Sequence, residues 1–106
     1  MRRGTTPTFY LSVMGVDLTE CTVTVAISQS ALELVITDAE VGYSTISQTS
    51  TVHFNLTQED TLQFTAGQKA RIQVRYIDAD GIANATAIKS FEVTDVIDNE
   101  VLTYGR

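Results

Sequence analysis

Lys69-Ala70-Arg71-Ile72-Gln73-Val74-Arg75-Tyr76 decides the fold class. Ala70, Ile72, Val74 and Tyr76 take every second position, and Lys69, Arg71, Gln73 and Arg75 fill the positions between. Successive side chains of a strand point to opposite faces, so this run has one apolar and one water-facing side. Wound as a helix, the same residues would scatter both sets around the surface and bury neither. Asp78-Ala79-Asp80-Gly81 follows as a hairpin turn, with Gly81 free to take positive φ.

The same two-residue period recurs on both sides of this run. Cys21 to Ser28 places Cys21, Val23, Val25 and Ile27 on one face and Thr22, Thr24 and Ser28 on the other. Gln29-Ser30 reads as a polar break, after which Leu32, Leu34 and Ile36 alternate with Glu33, Val35 and Thr37. Thr8 to Val13 is the expected first strand, Val41 to Ser47 a weaker one, and Thr51 to Leu56 turns Val52, Phe54 and Leu56 inward with His53 outward. A long last strand is expected from Ala83 to Val96, with a bulge near Lys89-Ser90 where the apolar phase slips. Thr57 precedes an acidic residue by three positions, which predicts a single helical turn over 57–62, with Leu62 and Phe64 plugging one end of the fold.

About seven short strands, regular turns and no long helix read as an all-β protein, an antiparallel sandwich of immunoglobulin-like arrangement. A small barrel is the alternative, since the buried Trp and paired cysteines of true immunoglobulin domains are absent. The 106 residues, 43% of them hydrophobic, suit one domain: an extended arm over 1–7, a sandwich over 8–97 and a tail over 98–106. No run approaches the ~18 apolar residues that would cross a bilayer, and none of signal-peptide length follows Arg2-Arg3. A single cysteine excludes an intramolecular disulfide and points to a reducing compartment. Thirteen acidic residues against seven basic give a net charge of -6, which opposes binding to nucleic acid or an anionic membrane.

Residues that carry chemistry are few. His53, the only histidine, sits on a polar strand face with no nucleophile or orienting carboxylate signalled by spacing. Cys21 is in phase with the core and reads as a structural thiol. The Asp78–Gly81 segment lacks the glutamate that a calcium loop needs at its twelfth position, where Lys89 stands. Lys69, Arg71 and Arg75 form a basic strip. It reads either as a docking strip for an acidic partner or, in preference, as a solvated face paired with Glu92 or Glu33. No catalytic set, metal set or cofactor loop is present in the pattern, so an enzyme is not expected.

The termini are more informative. Residues 1–7 are basic, small and extended, while 97–106 run past the last strand carrying Val101, Leu102 and Tyr104. Such arms order by adding a strand to a neighbour's sheet or by setting arginines on an acidic surface. The expected protein contacts are Arg2, Arg3, Thr5, Thr6, Pro7 and Thr8, with Val101, Leu102, Tyr104 and Arg106 next.

Three stretches together carry a resemblance: Arg2-Arg3-Gly4-Thr5-Thr6-Pro7-Thr8, Leu56-Thr57-Gln58-Glu59-Asp60-Thr61-Leu62, and Ile72-Gln73-Val74-Arg75 ahead of Asp80-Gly81. In order and spacing they resemble a group of small proteins encoded among the structural genes of tailed bacteriophages and prophages. The resemblance implies a virion protein of the head, neck or fibre attachment, folded in the host cytoplasm and built into a particle as a homo-oligomer or on other virion proteins. It brings no catalytic residue with it. A carbohydrate- or receptor-binding module for host attachment is the competing expectation, with Tyr10, Tyr43 and Tyr104 as its only aromatic candidates.

Overall fold

A computed structural model describes residues 1–105. Eight strands run through it: β1 (Thr8–Met14), β2 (Thr22–Gln29), β3 (Leu32–Ile36), β4 (Glu40–Ser44), β5 (Thr49–Asn55), β6 (Lys69–Ile77), β7 (Ala83–Ala85) and β8 (Lys89–Glu92). A 3-10 turn over Leu18–Glu20 and a short helix α1 (Gln58–Leu62) complete the elements. All strand pairs are antiparallel, in two sheets. One has the order β1-β5-β4; the other runs β3-β2-β6, with β7 and β8 sharing the far side of β6. The chain therefore changes sheet after β1, after β3 and after β5. This is the immunoglobulin-like sandwich with its B-E-D sheet against C′-C-F-G.

The alternation sets which faces meet. Ala70, Ile72 and Val74 of β6 are buried while Lys69, Arg71 and Arg75 are exposed. Val25 and Ile27 of β2 lie opposite Val74 and Ile72, so the two central strands put one apolar band into the core. Val52 and Phe54 of β5 meet it from the other sheet, and each fully buried side chain of this size contributes about 1.5–3 kcal/mol. All four phenylalanines gather at one end. Phe9 of β1 stacks on Phe54 at 5.3 Å between centroids and tilts against Phe91 of β8, which also meets Phe64. That cluster ties both sheets to the loop behind α1. The helix starts as its sequence predicts: the Thr57 hydroxyl accepts from the Asp60 N–H, and the Asp60 carboxylate accepts from the Thr57 N–H.

The structure corrects four local readings. The strand expected over Val41–Ser47 ends at Ser44, because Thr45–Gln48 form the turn into β5, with Gln48 at a φ of 51°. The long last strand is broken into β7 and β8. Arg75 pairs with Ala85 but Ile72 with Lys89, so one extra residue lies within Thr86–Ile88, upstream of the expected bulge. Thr86 holds that bulge: its N–H donates to the Val74 carbonyl and its hydroxyl accepts from the Val74 N–H. Cys21 stands just ahead of β2 instead of opening it, and is only half-buried, though packed against the core as its phase predicts.

Gln29 is the fourth. Read as part of a break, it is instead the last inward residue of β2 and is buried. Its amide nitrogen donates to the carbonyls of Thr65 (2.8 Å) and Gln68 (3.0 Å), and its oxygen accepts from the Thr65 N–H (2.6 Å). The polar side chain thus satisfies a loop that otherwise has no strand to pair with. Gln29→Leu strands these backbone groups and is expected to cost about 3 kcal/mol in urea denaturation. Next to it, Ser30 holds a φ of 51° in the two-residue β2–β3 turn. Ser30→Gly removes the Cβ conflict and is expected to stabilise the fold by up to about 1 kcal/mol in the same assay.

Candidate functional site

Both ends of the chain meet at one end of the sandwich. Arg2 forms a parallel bridge with Thr94 just beyond β8, through Arg3 N–H to the Thr94 carbonyl (3.0 Å) and Thr94 N–H to the Met1 carbonyl (2.8 Å). Gly4 then turns the chain at a φ of +74°. A Cβ there would make only ordinary contact with Val96 Cγ1 at 3.4 Å and Leu62 Cδ2 at 3.5 Å, so it is the turn that calls for glycine. Thr61 of α1 donates its hydroxyl to the Thr5 carbonyl, and Leu56 N–H donates to the Pro7 carbonyl, which carries the β1–β5 ladder one step further. Residues 1–7 are thus laid along the domain.

Arg3 is the hub of this end. Its guanidinium donates to Asp95 Oδ1 (2.7 Å), Asn99 Oδ1 (2.9 Å) and the Leu62 carbonyl (3.0 Å). Arg2 donates to the Asp95 carbonyl at 2.6 Å. Two arginines expected to reach outward are therefore engaged within the chain, joining the first residues, α1 and the segment after β8. A fork of N–H donors suits that task, because one guanidinium can serve three acceptors on different segments.

The C-terminal segment is partly held. Gln58 of α1 clamps Leu102 from both sides, its amide nitrogen donating to the Leu102 carbonyl (3.0 Å) and its oxygen accepting the Leu102 N–H (2.8 Å). Val101 lines a surface groove of about 450 Å³ together with Thr6, Asn55, Leu56, Gln58 and Glu59. Ile97 and Tyr104 are fully exposed, and Leu102 is largely so. The structure thus brings Arg2, Arg3, Thr5, Thr6, Pro7, Val101 and Leu102 to one end, with Thr8 opening β1 beside Asn55. Arg106 lies outside the described residues.

Other candidates sit elsewhere. His53 faces outward on the three-stranded sheet, its ring stacked on Tyr10 at 5.5 Å and its Nε2 3.0 Å from Glu40 Oε2. That row of cross-strand partners lies on an open sheet face. Tyr43 is half-buried opposite Ser50, which leaves Tyr10 and Tyr104 as the exposed tyrosines named above. The Cys21 thiol is pushed above its ordinary value by partial burial first, and then by the charges of Asp78, Asp17 and Glu20. The Asp78 carboxylate accepts from the N–H groups of Asp80 and Ile82, the work of a turn residue. Among the described residues no three of His, Cys, Asp or Glu are grouped so as to hold a metal ion, and no helix is long and apolar enough to cross a membrane. Comparison of the chain with protein-family models, curated proteins and solved structures finds no match in any of the three.

The Asp95 carboxyl sits below the ordinary carboxylate range, chiefly because it accepts from the Val96 N–H and next because it accepts from Arg3. A depressed folded value means that its contribution is present above the unfolded value of about 3.9 and is lost as pH falls through the lower folded one. In thermal denaturation, Asp95→Asn is expected to be less stable than the parent chain at pH 7, with the gap closing below about pH 4. An equal gap at both pH values would mean that the charge contributes nothing.

Proposed function

We propose that this chain is a non-enzymatic structural protein of a tailed-bacteriophage particle, a head, neck or fibre-attachment component that works by protein–protein assembly. It folds in the host cytoplasm and joins other virion proteins or further copies of itself. The observation that carries the reading is the terminal end of the sandwich. The first residues and the segment after β8 are stitched together there by Arg3, while Ile97, Leu102 and Tyr104 stand out beside them in water. Apolar side chains displayed on a rigid body are what an assembly contact uses, because covering them adds the hydrophobic term that the monomer leaves unclaimed. Val101 and the groove over α1 extend that surface.

The resemblance of the Arg2–Thr8, Leu56–Leu62 and Ile72–Arg75 stretches to small phage structural proteins supports the virion context. Arg2 and Arg3 enter this reading as residues that shape the contact end, since their guanidinium groups already have acceptors inside the chain. The second reading, a carbohydrate- or receptor-binding module in host attachment, rests on the exposed Tyr10 ring stacked against His53, a flat aromatic surface of the kind on which sugars stack.

Cross-linking mass spectrometry on purified particles tests the assignment: the protein is expected in the particle, with cross-links from its terminal end to a neighbour. Replacing Ile97 and Tyr104 together by Asp is expected to lower incorporation by roughly tenfold, the effect of about 1.4 kcal/mol at the contact. The isolated domain should keep its thermal midpoint, because surface changes stay within about 0.5 kcal/mol. Absence from particles combined with saturable binding on a glycan array would replace this reading with the second.

A further inference from the structure

The basic residues of this acidic chain are placed unevenly. Apart from those at the two ends, all of them stand on β6 and β8: Lys69, Arg71, Arg75 and Lys89. Lys69 lies opposite Glu92. Arg71 and Arg75 differ from it. Arg71 lies between Ser28 and Ser90, and Arg75 between Thr24 and Ala85, so neither has an acidic residue directly across the sheet. Neither forms an ion pair among the described residues.

Each of these two arginines lines its own depression on the outer face of the five-stranded sheet. One, of about 140 Å³, is shaped by Arg71, Gln73, Ala26, Ser28 and Ile88. The other, of about 220 Å³, is shaped by Arg75, Thr22, Thr24, Ile77 and Ala83. The two are built alike. Small residues of β2 border each one, an exposed isoleucine stands beside each, and an arginine of β6 supplies the charge. The Thr86–Ile88 bulge helps make the first, since it brings Ile88 to this face. The arginines are four positions apart along the strand, a spacing of about 13 Å.

We propose that this face is a docking surface for an extended acidic segment of a partner protein, with two carboxylates on one side of that segment seated against Arg71 and Arg75. Side chains four residues apart in an extended chain fall on the same side at the same spacing of about 13 Å, so one strand reaches both depressions. Guanidinium groups bind carboxylates through paired N–H donors, and Ile77 and Ile88 offer apolar contact to the residues flanking them. The flat, small-residue surface of β2 admits a backbone lying close to it. A nucleic acid fits less well, because the net charge of -6 repels a phosphate chain along the rest of its length. The proposal rests on the assembly reading only in taking the partner to be a protein.

A fluorescein-labelled peptide with the core Glu-Thr-Val-Thr-Glu, titrated by anisotropy at low salt, is the probe, with ¹⁵N chemical-shift mapping to locate it. Saturable binding is expected, with shifts confined to residues 22–28, 71–77 and 83–88. Arg71→Gln and Arg75→Gln should each weaken binding about fivefold and together about twentyfold, while thermal midpoints stay in place. A peptide whose glutamates are three apart, and so on opposite sides, should bind about fivefold more weakly. The proposal is overturned by no saturable binding, by binding unchanged in the double variant, by an oligonucleotide that competes equally, or by a dimer that the double variant abolishes. The titration uses the purified chain alone, so its failure leaves the particle assignment standing, and absence from particles leaves the docking face standing.

Discussion

The antiparallel pairing of β2 with β6 is the constraint on which the rest of the structure depends. Val25 against Val74 and Ile27 against Ile72 place four apolar side chains on one side of the central ladder. Because the period is two, a slip of one residue in β6 would turn Arg71 and Arg75 toward the core and Ile72 and Val74 toward water, and a slip in β2 would turn Val25 and Ile27 outward. Burying two unpaired guanidinium groups would cost several kcal/mol each, a large share of the 5–15 kcal/mol that holds a typical domain. The register is therefore enforced from both sides at once. The flanking hairpins, β2 with β3 and β6 with β7 and β8, inherit their phase from it. The second sheet then needs only an apolar face of matching width, which β1 and β5 supply.

Residues whose role follows from alternation were legible before any coordinates: Val23, Val25 and Ile27, Ala70, Ile72 and Val74, Val52 and Phe54. So was the cap of α1, because a Thr-x-x-Asp capping box is a local hydrogen-bond pattern that needs nothing beyond four residues. What escaped was non-local. Gln29 looks like the start of a turn until the loop over Thr65–Gln68 is folded beside it, and only then does a buried amide become the loop's hydrogen-bonding partner. The slip of apolar phase before Phe91 was visible, but its position depends on the Thr86 hydroxyl replacing a backbone acceptor for Val74. The terminal end escaped for the same reason. Nothing in Arg2-Arg3 names Thr94, Asp95 or Leu62 as partners more than 50 residues away.

Stitching the first residues to the end of the last strand has a mechanical consequence. The segment after β8 would otherwise leave the sheet as a free chain end, and local stability is lowest at such ends. The bridge to Arg2, the Arg3 hub and the Gln58 clamp convert it into part of the body. Apolar groups such as Ile97 and Leu102 are then presented from a fixed base instead of a mobile tail. A partner that binds them loses less conformational entropy in the process.

Two routes of assembly, strand addition and side-chain docking, place different demands on a sandwich. Strand addition needs a regular free edge whose N–H and C=O groups point outward in sequence. The far side of β6 offers no such edge: β7 has three residues, the Thr86–Ile88 bulge interrupts the ladder, and Thr94 is already bridged to Arg2. Short strands and bulges are the devices by which sheets avoid unwanted edge pairing. β1, β3 and β4 keep free edges, of seven, five and five residues. The broad outer face of β2 and β6 carries none of these interruptions at its centre, and the residues directly across from Arg71 and Arg75 are neutral. On the β6 side, where the edge is blunted and this face is open, recognition by side-chain charge and shape is favoured over strand addition, which is left to the longer β1 edge of the other sheet.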